Sequence, residues 1–381
     1  MLIYLIWFFL SVLLFYGTLK ANKKVQVQLS VFFLLALGIF VGLGDMLGGY
    51  DRYIYGELYD TMADFNHTGG NPWLSPSFAF YGGEFGYGSF CALLTYFTIN
   101  RYIFIFIATM VIYALLIRSL TKYVDNMPFA VVMFMALWFF FTFTYLRQVI
   151  GATIAWLSIQ YIIKRDWKRF LFVMFIAFSF HNSALIFLPM YLVPVRKFSK
   201  KQVLVVMAAA FLIGLSPIPQ ALFAAYGETD ADRVNAGSYA MDAGFRWAYL
   251  IEAAFFLYVI LRNYKNISHH AKDVVMLNIA LVFCAILLVF IRSENGGRLG
   301  WYYMIGVMCT LSNICVKGKK LLAHGTLILI VSFFLYYRIL DAWAFNMTPY
   351  KTFLTPGHTA AEWIYERYEY DPHYDEDKLY R

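Results

Sequence analysis

Residues 139–193 read FFFTFTYLRQVIGATIAWLSIQYIIKRDWKRFLFVMFIAFSFHNSALIFLPMYLV, two apolar stretches joined by a basic turn at 164–169. A helix needs about 20 apolar residues to cross the hydrocarbon core of a bilayer. The first stretch, 139–163, contains a single charge, Arg147, and the apolar run 148–163 after that charge needs its neighbours to reach this length. This pattern of apolar runs and short basic turns is typical of a membrane protein built from helices.

The composition of the whole chain predicts the same class. Of 381 residues, 61% are hydrophobic and 14% are charged, against about 25% charged in ordinary globular proteins. So few charges cannot cover a water-exposed surface, which excludes a soluble fold. The net charge of +8 comes from short clusters and not from one basic face, which argues against nucleic-acid binding. The four cysteines form no CxxC motif, and neither a metal nor a cofactor is predicted.

Apolar runs predict about ten spans within one all-α, polytopic transmembrane domain, residues 1–341. The first run could instead be a signal peptide, although it lacks a basic start and a cleavage site. Segments 85–99 and 170–195 do not fit easily as spans. The predicted spans lie near 2–19, 25–47, 102–120, 128–146, 148–163, 202–225, 244–262, 274–291, 299–316 and 321–341.

Basic clusters predict the orientation, because cytoplasmic loops collect Lys and Arg. All six clusters can be cytoplasmic only if 85–99 does not cross and 170–195 forms a re-entrant hairpin. The alternative is one tilted span at 170–195 with a basic loop on the outer side. The hairpin arrangement places both chain ends outside and His181 in the outer half of the membrane. The clusters are Lys20/Lys23/Lys24, Arg118/Lys122, Lys164/Arg165/Lys168/Arg169, Arg196/Lys197/Lys200/Lys201, Arg262/Lys265/Lys272 and Lys317/Lys319/Lys320.

The predicted outer side contains an external segment at 45–101, a loop at 226–243 and an acidic, aromatic tail at 342–381. Ten of the 12 basic residues assigned to this side are arginines, whereas the cytoplasmic clusters contain 14 lysines and five arginines. Because a guanidinium matches phosphate oxygens in pairs, the outer side is predicted to hold an anion. Aromatic and acidic side chains also suit carbohydrate, but the simpler interpretation of the tail is a solvated segment.

Arg147 and His181 are the strongest chemical candidates. A charge at helix-centre depth costs about 2.5–3.5 kcal/mol, and an intramembrane arginine is therefore a functional candidate. Histidine exchanges a proton near neutral pH and could deprotonate a sugar hydroxyl. The structural alternatives are an arginine that reaches toward lipid headgroups and a histidine that only packs.

Two further groups of polar residues support an anion or sugar site. Arg292 and Arg298 bracket RSENGGRLGWYY between two predicted spans, where glycines permit close backbone approach to a ligand. A plain polar turn is the alternative. Glu84 and Asp51 lie among glycines and tyrosines, and either carboxylate could accept a proton or a sugar hydroxyl.

Several motifs together resemble the EpsG family of Wzy-like polysaccharide polymerases, which act in bacterial exopolysaccharide, capsule and O-antigen synthesis. The stretch YLRQ through FHNSALIFLPMYLV resembles the family's arginine–glutamine helix, basic turn and Phe-His-x-Ser-Ala segment. GYDRYIYGELY resembles its Asp- and Tyr-bearing first external segment. YGGEFGYGSFCALL resembles its Glu-Pro-Gly-Phe-like element, although Gly83 precedes Glu84 and Phe85 stands where proline is usual. RLGWYY and TPYKTFL resemble its C-terminal elements. The resemblance covers about 45–355.

The resemblance implies a membrane glycosyltransferase of the GT-C type, without a cofactor or metal, that joins oligosaccharide repeat units carried on undecaprenyl diphosphate. Its site would face outward from the bacterial inner membrane, with a flippase and a chain-length regulator as expected partners. The implied catalytic residues are Arg147, His181 and Glu84, and the implied substrate-binding residues are Arg298, Arg292, Asp51, Tyr302 and Gln148.

Three other functions remain open from the sequence. A ligase would use the same lipid-linked donor with a different acceptor. A transporter would favour ionisable residues at the membrane midplane and two similar halves, and neither is evident here. A membrane acyltransferase would depend on acyl-CoA. The chain contains no GxGxxG, P-loop, HExxH or GxSxG motif, so a nucleotide-dependent enzyme or a serine hydrolase has no local support.

Overall fold

The computed structural model describes residues 1–222, 244–293, 295–316, 321–357, 371 and 373–381. In these residues the chain is helical and contains no strand, and an isolated antiparallel bridge joins Gly44 to Thr352. The predicted all-α class is confirmed. The predicted loop at 226–243 lies outside the described residues.

The first half of the chain contains eleven of the α-helices used below. They are α1 (Leu2–Gly17), α2 (Lys23–Leu43), α3 (Tyr50–His67), α4 (Pro76–Phe80), α5 (Phe85–Leu94), α6 (Arg101–Tyr123), α7 (Met127–Leu137), α8 (Phe141–Thr144), α9 (Leu146–Leu157), α10 (Ile159–Lys164) and α11 (Trp167–Phe180).

The second half continues with longer helices and short terminal ones. They are α12 (Lys200–Leu215), α13 (Trp247–Arg262), α14 (Ala271–Val289), α15 (Met304–Val316), α16 (Leu321–Ala342), α17 (Ala344–Met347) and α18 (His373–Glu376). Two 3₁₀ segments, Asn182–Tyr191 and Gly296–Tyr303, contribute to the candidate site.

Within the described residues, five helices are long and apolar enough to cross a membrane, and α1, α5 and α7 are shorter apolar helices. The chain is therefore a multi-pass membrane protein. The five are Lys23–Leu43, Arg101–Tyr123, Leu146–Lys164, Ala271–Val289 and Gly325–Ala342.

Three predicted spans have different bounds in the structure. The run 128–146 is divided between α7 and α8, and 299–316 begins as a 3₁₀ segment before α15. The run 202–225 does not continue as one helix, because α12 ends at Leu215. Pro217 explains this end, since the residue before a proline avoids the helical region and Ser216 is extended.

The core forms around α7 and α14. Every residue of α7 is buried, as expected for a helix that is apolar on all sides. It packs against α1, α2, α15 and α16, while α14 packs against α12, α13 and α15. Helix α9 lies between α6 and α11 and thereby connects the core to the candidate site.

The segment after α10 doubles back at His181. Helix α11 leads away from Arg165, and the 3₁₀ segment Asn182–Tyr191 packs alongside it on return. Arg165 Nη1 donates a hydrogen bond of 2.8 Å to the Tyr191 carbonyl, and the Phe170 and Tyr191 rings lie 4.9 Å apart. The two ends of the segment are therefore neighbours. The depth of this hairpin in a bilayer stays a prediction.

The external segment is attached to the core by a buried arginine. Arg52 of α3 is 1% exposed and donates to the carbonyls of Phe143, Val41 and Gly44 at 3.0, 3.1 and 2.6 Å. These carbonyls lie at the ends of α8 and α2, where helices leave unpaired acceptors. One side chain thus fixes α3 against two helix ends.

The C-terminal tail is not a solvated segment over its described end, contrary to the simpler interpretation. Tyr374 is fully buried and its hydroxyl donates to Asp60 Oδ1 at 3.1 Å. Asn100 Nδ2 donates to the Lys378 carbonyl at 2.7 Å. Tyr374 and Arg381 of the tail instead contact charged residues of α3 and α6, namely Asp60, Asp64 and Arg101.

Candidate functional site

Three ionisable side chains from separate segments meet at the turn of the hairpin. Arg147 lies in the first turn of α9, Glu84 immediately precedes α5, and His181 lies between α11 and the 3₁₀ segment. Arg147 Nη1 donates to Glu84 Oε2 at 2.6 Å. The structure therefore brings together the three residues that the sequence suggested as catalytic.

Glu84 is the centre of this contact network. Its Oε1 accepts a hydrogen bond of 3.1 Å from the Asn182 backbone N–H, while Oε2 accepts from Arg147. His181 Nδ1 lies 3.6 Å from Oε1, too far for a hydrogen bond. Both carboxylate oxygens thus have partners that hold the loop before α5 against the hairpin.

Two glycines permit the close helix packing behind the site. A Cβ on Gly86 of α5 would lie 2.2 Å from Ser179 Oγ, and one on Gly151 of α9 would lie 3.3 Å from both the Ala177 carbonyl and His181 Cβ. Helices α5 and α9 therefore approach α11 closely on either side. This packing sets the spacing between Glu84, Arg147 and His181.

Aromatic rings surround the Arg147 guanidinium. The Tyr55 and Tyr81 rings lie 5.5 and 5.9 Å from it, within the range of cation–π attraction. Arg147 Nε also donates a long hydrogen bond of 3.4 Å to the Tyr55 hydroxyl. The Arg147 side chain remains 21% exposed, so a ligand can reach it.

A chain of hydroxyl groups connects His181 to the second half of the protein. Ser183 Oγ lies 2.9 Å from His181 Nδ1 and 2.9 Å from the Tyr302 hydroxyl. Tyr302 is fully buried, and its carbonyl accepts from Trp156 Nε1 at 2.8 Å. Tyr302 therefore lies behind His181 and orients it through Ser183.

Arg298 lies beside the same cluster. Its guanidinium is 4.1 Å from the Tyr145 ring and 5.3 Å from the Trp301 ring. Gln148 Nε2 donates to the Arg298 carbonyl at 3.2 Å, which joins the 3₁₀ segment Gly296–Tyr303 to α9. Gln148 is buried, and the contact shown for its side chain is to the protein backbone.

Asp51 lies in the first turn of α3 and shares the electrostatic field of both arginines. Burial raises the pKa of its carboxyl group, and the charges of Arg298 and Arg147 oppose that rise. Asp51 accepts no hydrogen bond or ion pair among the described contacts, and it is half-buried. It is thus a carboxylate near two cations without being bound to either.

Arg292 differs from the other predicted site residues. Its Nη1 donates to the Leu215 carbonyl at 3.4 Å, at the end of α12. The contact shown joins Arg292 to a helix end and not to Glu84 or Arg147. Its predicted role in substrate binding stays a prediction.

Sequence reasoning missed Tyr55, Tyr81 and Ser183. Tyr55 follows Asp51 by four residues in GYDRYIYGELY, a spacing that places both on one face of a helix. Ser183 follows His181 by two residues, which suits a hydroxyl that bonds to a neighbouring side chain. Tyr81 had no such signal, because its place depends on the turn before α5. No group of three His, Cys, Asp or Glu side chains suited to a metal occurs within the described ranges.

Comparison with known proteins identifies one relationship. The model of the EpsG family matches residues 29–352, which includes every segment of the site described above. No curated protein and no solved structure matches the chain significantly. The family resemblance of the motifs is thereby confirmed, and the chain belongs to the EpsG family.

Proposed function

We propose that this protein is a polysaccharide polymerase of the membrane glycosyltransferase type. It would join oligosaccharide repeat units carried on undecaprenyl diphosphate, with one lipid diphosphate as leaving group. Membership of the EpsG family supports a Wzy-like polymerase in general. The observation that carries the finer proposal is the meeting of Arg147, Arg298 and two carboxylates in an accessible cluster.

The chemistry requires stabilisation of charge on the departing diphosphate. An acceptor sugar hydroxyl attacks the anomeric carbon of the donor, and the bond from that carbon to the diphosphate oxygen breaks. Arg147 keeps Nη2 without a partner among the described residues, while Glu84 holds its Nη1. Such a fixed but accessible guanidinium can bind the growing negative charge, and removal of one such donor typically slows a reaction by about 10²–10³-fold.

The position of the cluster supports an outward-facing site. Arg147 begins the candidate span Leu146–Lys164, whose other end adjoins the basic residues 164–169. Cytoplasmic ends of spans collect basic residues, which supports a position for Arg147 at the outer boundary. We propose that the protein works there in the bacterial inner membrane, supplied by a flippase and adjusted by a chain-length regulator.

The test is reconstitution of the purified protein in liposomes with lipid-diphosphate-linked repeat units. A ladder of glycans that grows with time is expected. A single transfer to an added acceptor would favour the ligase instead. Consumption of no lipid-linked donor would contradict both enzymes and leave the transporter to be tested by uptake.

A further inference from the structure

The hydrogen bonds of His181 determine which of its ring nitrogens carries the proton. The backbone N–H of Ser183 donates to Nδ1 at 3.2 Å, and Ser183 Oγ lies 2.9 Å from the same atom. A backbone amide can only donate, so Nδ1 must be the acceptor. In a neutral imidazole the other nitrogen, Nε2, then carries the hydrogen.

The neighbours of His181 support this tautomer. The Tyr302 hydroxyl can donate to Ser183 Oγ, which in turn donates to Nδ1. Glu84 Oε1 is 3.6 Å from Nδ1 and accepts from the Asn182 N–H instead. No partner is shown for Nε2 in the described part of the chain, and it is not sealed from solvent. His181 therefore offers a ligand an N–H donor, and not a lone pair.

The two carboxylates of the site differ in availability. Both oxygens of Glu84 are occupied by Arg147 and Asn182. Asp51 has no hydrogen-bond or ion-pair partner among the described contacts. It lies one helical turn before Tyr55, whose hydroxyl accepts from Arg147 Nε, and this places Asp51 beside Arg147. A general base needs a free lone pair within reach of the hydroxyl that it deprotonates. Each Glu84 oxygen keeps a further lone pair, but two donors already share its charge, whereas neither oxygen of Asp51 accepts a hydrogen bond among the described contacts; Asp51 is therefore the better base.

We propose that Asp51 accepts the proton of the attacking sugar hydroxyl, and that His181 acts as a hydrogen-bond donor through Nε2 to the leaving diphosphate. This assignment rests on the proposed function. The bond between the acceptor oxygen and the anomeric carbon forms as the bond to the diphosphate breaks. The hydroxyl proton passes to Asp51, the electron pair leaves with the diphosphate, and Asp51 later releases its proton to water.

The charged groups around Asp51 are few. The helices packed against α3 include α4, α5, α6 and α8. Glu84 precedes α5 and is bound by Arg147, and Arg101 at the start of α6 is bound by Asp60. Arg298 and Arg147 act on the Asp51 charge, and the Asp51 charge in turn acts on the Tyr55 hydroxyl one turn along α3. Activity should therefore fall as pH drops through the raised pKa of Asp51, because the protonated carboxyl group cannot accept.

The test compares Asp51→Asn with His181→Gln in the liposome assay across a range of pH. Glutamine keeps an N–H donor near the place of Nε2 but cannot act as a base. We expect Asp51→Asn to slow polymerisation by about 10²–10⁴-fold and to abolish the acid limb of the pH profile. We expect His181→Gln to slow it by less than about tenfold and to keep that limb. The opposite pattern would overturn the assignment.

Three controls separate this inference from other failures. Asp51→Glu should recover part of the lost rate if the carboxylate is the active group, and Asp64→Asn on the same helix should leave the rate unchanged. A wild-type protein that makes no ladder would overturn the proposed function itself. NMR of the labelled ring nitrogens, with His181→Gln to assign the signal, tests the tautomer without reference to activity. A protonated Nδ1 would contradict the donor role.

Discussion

Two arginine–carboxylate pairs in the predicted outer half have nearly equal lengths but different surroundings. Arg101 Nη2 and Asp60 Oδ2 are 2.7 Å apart, and both side chains are fully buried. Arg147 Nη1 and Glu84 Oε2 are 2.6 Å apart, and their side chains are 21% and 7% exposed. Access for a ligand, and not the geometry of the ion pair, therefore distinguishes them.

The C-terminal tail explains the difference. Arg101 lies 4.9 Å from the Tyr374 ring, and Tyr374 donates to Asp60. The protein itself thus occupies the space beside the first pair. Beside the second pair are Tyr55, Tyr81 and His181, which line one side and leave the arginine accessible. The first pair is expected to stabilise the fold and the second to bind substrate.

The largest expected effect is a loss of stability when the buried pair of Arg101 and Asp60 is broken. Arg101→Ala leaves Asp60 as a buried charge without its main partner, which should lower the free energy of unfolding by about 3–5 kcal/mol. Thermal unfolding in detergent measures this. Arg118→Ala changes an exposed arginine of the same helix and should leave stability nearly unchanged. Equal stability of the two variants would remove the distinction between the pairs.

The accessible pair of Arg147 and Glu84 should affect activity more than stability. Arg147→Ala should slow polymerisation by about 10²–10³-fold, with a smaller loss of stability than Arg101→Ala, because water can solvate Glu84. Rate and melting temperature are measured on the same preparation. A variant that polymerises at the wild-type rate would contradict a role of Arg147 in the reaction.

A smaller effect should follow from removing the hydrogen bond between Tyr374 and the buried Asp60. Tyr374→Phe removes a hydrogen bond to a buried carboxylate, worth about 1.5–3 kcal/mol. The matched control is Tyr380→Phe, because the Tyr380 hydroxyl contacts only Arg381 Nε, and no carboxylate, among the described bonds. Unfolding of both variants in the same detergent gives the comparison. If the control loses as much stability, the stabilisation does not come from the hydrogen bond between Tyr374 and Asp60.

The smallest effect is expected from a change at Tyr55, whose ring lies beside the accessible Arg147. Tyr55→Phe keeps the ring near Arg147 but removes the hydroxyl at 3.4 Å. Because that hydrogen bond is long, we expect less than about a tenfold loss of rate. The initial rate of ladder growth is the measurement. A loss as large as that of Arg147→Ala would show that the Tyr55 hydroxyl takes part directly.

Local patterns in the sequence predicted the class of the fold and the main residues of the site. Arg147 stood out because a charge in an apolar run is costly, and the family motifs added Gln148 and Tyr302. The side-chain pairings could not be predicted from local patterns, because Arg147 and Glu84 lie 63 residues apart and Tyr374 and Asp60 lie 314 apart. The tail was misjudged for that reason, since nothing near Tyr374 in the chain shows its partner.

The sequence by itself determined that this is an all-α membrane protein, because apolar runs of spanning length have no other stable arrangement in lipid. It also determined which side chains could carry charge into that environment. Only the tertiary structure decided which of these charges are fully buried and which remain accessible to a ligand. That outcome depends on the reversal at His181, the close helix packing at Gly86 and the docking of the tail, all of which join residues distant in the chain.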